Sequence, residues 1–232
     1  MSPDDSDGHD LSVRTNPTNK KRSLRLLGGL IVIVVAAQLL TLGLQWLQPP
    51  APPQLLNNPS MLADRRAPTF GAANADVTIY LFSDYACPVC RAMSPDLIKL
   101  VASDKGLRIV YRDWPVLSPR SIRAARLAIA SKSTGRHAAF DAEVMRHGGS
   151  LDDATLHLAA TRAGIDWNGL LKDYARDQRE IDDLIAQSGS YAHALGFSGT
   201  PTLVIGPFLV VGRQSLERLR ELVAQARGGL RA

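Results

Sequence analysis

"VTIYLFSDYACPVC", Val77 to Cys90, decides the fold. Its first seven residues, Val77 to Ser83, are β-branched and aromatic, with Asn74 and Asp76 before them and Asp84 after. That pattern predicts a buried central strand. A short turn follows, then Cys87 and Cys90, the only two cysteines in 232 residues. Pro88 suits the first position of a helix, where its missing N–H costs nothing. Cys87 is therefore expected at a helix N-terminus, where free amides and the helix dipole stabilise a thiolate. A thiolate of this kind is also a good leaving group, so its disulfide is easily attacked. Cys90, one turn further in, stands where it could resolve a mixed disulfide.

Three other uses of the pair compete with redox exchange. A purely structural bridge between residues three apart closes a loop too short to restrain much chain entropy. A closed zinc site needs four ligands, and there is no second CxxC or closely spaced His pair. The five histidines, at 9, 137, 147, 157 and 193, are scattered and read as solvated or helix-surface residues. No metal site is expected. Two unrelated free thiols are the third alternative. Spacing and context favour a redox centre.

Downstream, "MSPDLIKLVAS" has a helical pattern in which Pro95 predicts a kink or break. "LRIVYRDWPV", Leu107 to Val116, reads as a second strand. Strand, helix and strand within about 40 residues make a βαβ unit with a parallel pair. From about 118 to 196 the pattern is helical. Ser118 and Pro119 form a cap and first-turn pair. Ser150 or Asp152 can cap "DATLHLAATRA". Asp166 can cap "WNGLLKDYARD", and "REIDDLIAQSGSYAHAL" reads as the next helix, its continuity weakened by Gly189. "TLVIG" and "PFLVVG" then predict a hairpin turning at Gly206-Pro207. "SLERLRELVAQAR" closes the chain with Leu216, Leu219, Leu222, Val223 and Ala226 on one face.

Upstream, residues 1–25 are a polar tail ending in the cations of "KKRSLR", read as disordered and cytoplasmic. Leu26 to Leu47 follow, 22 residues without a charge, which matches the roughly 20 needed to cross a bilayer. A cleaved signal peptide has a shorter apolar run and a small-residue cleavage site, whereas this run ends in "QWLQPPAPPQ". The segment reads as one N-terminal transmembrane signal-anchor. The cations before it put the N-terminus in the cytoplasm and everything after Leu47 outside, where disulfides persist. Residues 48–66 read as a Pro-rich linker, and 67–232 as the folded domain. With 27 basic against 22 acidic residues the charge excess is mild. There is no basic stripe with interleaved aromatics, so nucleic-acid binding is not expected.

"GTPTLVIG", Gly199 to Gly206, completes the pattern. A Thr-Pro pair opening a strand is weak alone, since Pro commonly starts strands. Together with a CxxC after an upstream strand it makes the domain resemble the DsbA-like thiol–disulfide oxidoreductases, an α/β thioredoxin-like fold with an inserted all-helical subdomain. "FSDYACPVC" and "GTPTLVIG" carry the resemblance, which covers about residues 67–230. It implies that Cys87 is the attacked or attacking sulfur and Cys90 the resolving one. It also implies that Pro201 is a cis-proline lying against the pair, and that Thr200 presents its backbone to an extended substrate peptide. Two departures stand out. Family members often carry a buried acid six positions before the first cysteine as a proton relay. Here that residue is Leu81, so the relay is absent or moved to a nearby group. Asp84 is too close to the turn to be assumed equivalent. The residues that tune the pair are Pro88 and Val89, where strongly oxidising relatives have a His in the second place. Arg91, beside Cys90, reads as a solvated helix-face residue.

Together with the span read over 26–47, the resemblance implies a membrane-anchored enzyme of the bacterial envelope that exchanges disulfides with exported, cysteine-containing proteins. It would act in the oxidase direction, with no bound cofactor. A membrane redox partner would regenerate the pair, and the bilayer would hold the chain through 26–47. The alternatives are a reductase or isomerase of the same fold, and a non-catalytic chaperone or metallochaperone.

Overall fold

The computed structural model describes residues 62–147 and 149–229, together with Gln38. The tail read over 1–25, the remainder of the span read over 26–47 and the linker up to residue 61 lie outside the described residues. Among the described residues no helix is long and apolar enough to cross a membrane.

Five strands form one sheet in the order β1-β3-β2-β4-β5. They are β1 (Thr69–Gly71), β2 (Val77–Ser83), β3 (Leu107–Asp113), β4 (Thr202–Ile205) and β5 (Phe208–Val211). β2 and β3 run parallel, with Ile79 opposite Ile109 and Ser83 opposite Asp113. The other neighbours are antiparallel. Helix α1 (Pro88–Ser103) makes the crossover between β2 and β3. The helical block comprises α2 (Pro119–Ala130), a 3₁₀ turn (Ser131–Thr134), α3 (His137–His147), α4 (Asp153–Arg162) and α5 (Trp167–Ala194). α6 (Leu216–Gly229) ends the described chain.

The central strands are buried on both faces, which is why "VTIYLF" is apolar almost without alternation. Tyr80, Phe82, Val110 and Val204 pack into the core shared with α2, α3, α4 and α5. Ile79, Leu81, Ile109, Leu203 and Ile205 pack into a second core with α1 and α6. The face expected of the last helix is the one used: Leu219, Leu222, Val223 and Ala226 are buried and Leu216 partly so. The hairpin between β4 and β5 turns at Gly206, whose φ is +54° and whose added Cβ would lie 2.9 Å from Ala226 Cβ. Both the backbone and the helix behind it require glycine there.

Several expectations from sequence are corrected. Strand β1 carries no sequence pattern of its own; it is a three-residue edge pairing on β3. The second strand ends at Asp113, not Val116, because Asp84 captures the amides of Val116 and Leu117. α1 runs unbroken through Pro95. That residue is exposed, on a side where water can solvate the carbonyl its missing N–H leaves free. The two helices read over 167–195 are one helix of 28 residues, capped by Asp166. Ile181, Leu184, Ser188 and Ala192 are buried along it, and that stripe, rather than propensity at Gly189, holds it together. Buried structure also begins before residue 67, since Leu62 sits in the core.

Candidate active site

The site starts where β2 ends. Asp84 is fully buried, and its carboxylate accepts four hydrogen bonds. Oδ1 takes the Ala86 amide at 2.7 Å. Oδ2 takes the Val116 and Leu117 amides at 2.7 and 2.8 Å and the Ser121 hydroxyl at 3.2 Å. A buried carboxylate is tolerable only when supplied with donors in this way. Its effect is to clamp the turn before the cysteines to the first turn of α2. That turn is itself closed by a capping box between Ser118 and Ser121.

Cys87 is the N-cap of α1, with Pro88 in the first turn, as the sequence predicts. Both cysteines are free thiols. The Cys90 amide donates to Cys87 Sγ at 3.4 Å. Cys87 is 4% and Cys90 3% exposed, yet their acidities diverge. Burial pushes the Cys87 thiol up, but this is outweighed by hydrogen bonds from the Thr200 side chain and from the amides of Cys90 and Val89. The net result is a pKa below the ordinary thiol value. Burial pushes the Cys90 thiol up to about 11. The capping sulfur is therefore the more acidic of the pair and the deeper one the less acidic.

Thr200 and Pro201 reach the same place from the far end of the helical block. The Thr200-Pro201 peptide is cis. The Cys87 thiol donates to the Thr200 carbonyl at 3.3 Å, across 113 residues of sequence. That contact exists only for the protonated sulfur; the amides of α1 serve both forms. The Pro201 carbonyl is taken by the Gly212 amide at 2.8 Å. Phe197, three residues before Thr200, packs edge-on against Phe82 with ring centroids 4.9 Å apart. Such a pair contributes about 1 kcal/mol beyond its buried area, and it ties the loop to β2, the strand that leads to Cys87. Pro88 is exposed. Val89 is 39% exposed and its side chain brings no hydrogen-bond donor to the sulfur. Leu81, six residues before Cys87, is buried in the second core.

Residues 64–225 match the family model described as Thioredoxin. The chain belongs to the thioredoxin family. A thioredoxin-like oxidoreductase from Silicibacter pomeroyi is 36% identical, with 74% of this chain and 98% of that one covered and a TM-score of 0.68. The thiol-disulfide exchange protein alpha-DsbA2 from Wolbachia pipientis is 28% identical over 74% of this chain and 92% of its own, with a TM-score of 0.70. Among curated proteins, the Na(+)/H(+) antiporter NhaA 1 of Salinispora arenicola is 28% identical over 163 residues, 69% of this chain and 25% of that protein. The chain thus spans about a quarter of the length of the curated relatives it matches. The likeness to DsbA-like proteins stated from sequence is shown by the family match and these structures.

In this family member, sequence reading missed a buried polar group behind the pair. Tyr85, Tyr111, Asp113 and Asp141 are all buried. Tyr85 donates its hydroxyl to Asp141 Oδ1 at 3.1 Å. Burial pushes the Asp141 carboxyl up to about 7. Burial, reinforced by the charge of Asp141, holds Asp113 well above the usual carboxylate range. His137 is buried too, contrary to the solvated reading. It is 4% exposed, stacked edge-on to Tyr111 at 4.5 Å, and neither ring nitrogen has a partner. Burial drives its pKa down to about 3. The available signal was the helical period: Phe140, Asp141, Val144 and Met145 line one buried face of α3 with His137, and a charge on such a face is unusual. No group of three or more metal-ligating side chains occurs among the described residues.

Proposed function

We propose that this thiol–disulfide oxidoreductase is anchored in the cytoplasmic membrane of a bacterium through residues 26–47. The Pro-rich stretch between that span and Leu62 would hold the catalytic domain on the outer side, where it oxidises cysteine pairs in exported proteins. The enzyme class follows from the family and its solved relatives. The observation that carries the mechanism is the split between the two sulfurs: Cys87 capping α1 with a lowered pKa, Cys90 behind it with a raised one. A substrate thiolate attacks Cys87 Sγ of the disulfide, and Cys90 leaves. The mixed disulfide at Cys87 is then attacked by the substrate's second thiol. The substrate departs oxidised and Cys87 and Cys90 remain reduced. Thr200 offers its backbone to the extended substrate and Pro201 fixes that loop against the pair. The cysteines carry the electrons without a bound cofactor, and a membrane redox partner reoxidises them.

One observation favours the reductase direction as a second reading. Val89 supplies no side-chain donor to the Cys87 thiolate, and a less stabilised thiolate makes a weaker oxidant. Equilibrating the purified chain against glutathione redox buffers decides between the two. A potential near about −120 mV is expected for an oxidase, and one near about −270 mV would overturn that direction. A Cys87→Ser variant that kept full cellular function would overturn exchange chemistry altogether.

A further inference from the structure

Cys90 poses a proton problem. To close the disulfide with Cys87 it must lose a proton that its burial makes it hold. When attacked from the other direction it leaves as a buried thiolate, which burial penalises equally. Three carboxylates lie near. Asp84 accepts four hydrogen bonds from Ala86, Val116, Leu117 and Ser121 and does not line the space behind Cys90. Asp113 is not in the wall of the space behind Cys90. Asp141 is: a small, partly enclosed cavity is lined by Leu81, Ser83, Cys90, Tyr111 and Asp141 among others. The space open to the centre of a water molecule is about 10 Å³, room for about one water.

We propose that the Asp141 carboxyl group, carried on α3 of the helical block, exchanges a proton with Cys90 Sγ through this one-water cavity. In the closing direction the Asp141 carboxylate takes the Cys90 proton. The Cys90 thiolate then attacks Cys87 Sγ, the Cys87–substrate S–S bond breaks, and its electron pair leaves with the substrate sulfur. The cysteine pair is oxidised and the substrate reduced. In the opposite direction a substrate thiolate breaks the Cys87–Cys90 bond, and Cys90 takes its proton back from Asp141. Leu81 forms the apolar wall of the same cavity, so the acid reaches Cys90 from the inserted helices and not from β2.

The surroundings suit the task. Tyr85, from the turn before Cys87, holds one Asp141 oxygen by a hydroxyl that burial keeps protonated. From β3, burial raises the Tyr111 hydroxyl well above its ordinary value, and burial with the charge of Asp141 raises Asp113 well above the usual carboxylate range, Arg112 opposing that shift and Asp84 adding to it. His137, one turn earlier on α3, is neutral. Asp141, pushed up by burial to about 7, titrates near neutrality. A proton carrier works best with a midpoint near the working pH.

The inference rests on the exchange reading above. It is tested on the purified full chain by stopped-flow reaction with glutathione disulfide across pH, resolving mixed-disulfide formation at Cys87 from its closure by Cys90. Asp141→Asn should slow closure by roughly a hundredfold near neutral pH and abolish the near-neutral inflection in its pH profile. Formation at Cys87 should keep its rate and profile. Closure at the wild-type rate and profile in Asp141→Asn would overturn the proposal. Should that variant fail to fold, the wild type still decides. Its reduced-minus-oxidised infrared spectrum should carry a protonated-carboxyl band that titrates near neutrality, and absence of such a band would overturn the proposal. An inactive chain with intact, unreactive thiols would instead count against the exchange reading itself.

Discussion

The separation between the two sulfurs can be measured directly with the single-cysteine variants Cys90→Ala and Cys87→Ala. Cys90 has a pKa of about 11, and that of Cys87 lies below the ordinary value of 9.0. Two units or more separate them, so below both midpoints the thiolate fraction differs by at least a hundredfold. Intrinsic nucleophilicity falls with pKa at about half a logarithm per unit, which returns about tenfold to Cys90. The net expectation is that Cys87 alkylates at least about tenfold faster than Cys90 at about pH 7. Both sulfurs are nearly buried, so access also enters each rate and the ratio alone would be ambiguous. The pH dependence separates the two causes: the midpoint for Cys87 should fall below that of a free thiol, and that for Cys90 should lie about two units above it. Iodoacetamide labelling read by mass spectrometry across pH gives both midpoints. Equal midpoints, or the lower one at Cys90, would refute the assignment of nucleophile and resolving thiol.

Other outcomes follow from the same contacts. Asp84→Ala strands the amides of Ala86, Val116 and Leu117; it should cost about 4 kcal/mol in urea unfolding, and a loss under about 1 kcal/mol would contradict the clamp. His137→Phe should be more stabilising in acid than in weak alkali. The native His pKa of about 3 lies below the unfolded value, so wild-type stability is complete above about pH 6.5 and falls as pH drops toward 3. At pH 5 the variant should gain about 2 kcal/mol over its standing at pH 8, and a pH-independent difference would show a native imidazole that titrates normally. Asp141 acts with the opposite sign. Its raised pKa of about 7 means that stability is lost as pH rises from about 4 through 7, so Asp141→Asn should flatten that slope in urea melts. Val89→His should lower the Cys87 pKa and raise the couple's potential, by about 30 mV for each 1.4 kcal/mol of added thiolate stabilisation. An unchanged potential would mean that the imidazole does not reach the sulfur.

The parts of the site that lie on local pattern were legible in the sequence. Pro88 announces the helix start, the apolar run before it announces the central strand, and Ser118, Asp152 and Asp166 all cap the helices they precede. What could not be read there is set by packing. The three residues of β1 become a strand only because β3 offers an edge. α1 continues through Pro95 because that residue falls on the solvent side. His137 and Asp141 sit on a buried face of α3 whose neighbours come from β3 and from the turn before Cys87, well over twenty positions away. The Thr200 contact belongs to both groups: its Thr-Pro signature is visible in sequence, and its pairing with Cys87 is visible only once the sheet brings β4 beside β2.

The contact between Cys87 and Thr200 also fixes an order of events in the life of the chain. A polypeptide emerging N-terminus first presents both cysteines more than a hundred residues before the loop that completes their surroundings. Closing so long a loop is slow relative to forming the local βα unit. In the interval Cys87 lacks the Thr200 side chain that helps to acidify it. Until the C-terminal hairpin docks, the acidity of Cys87 rests on the local α1 contacts with Cys90 and Val89.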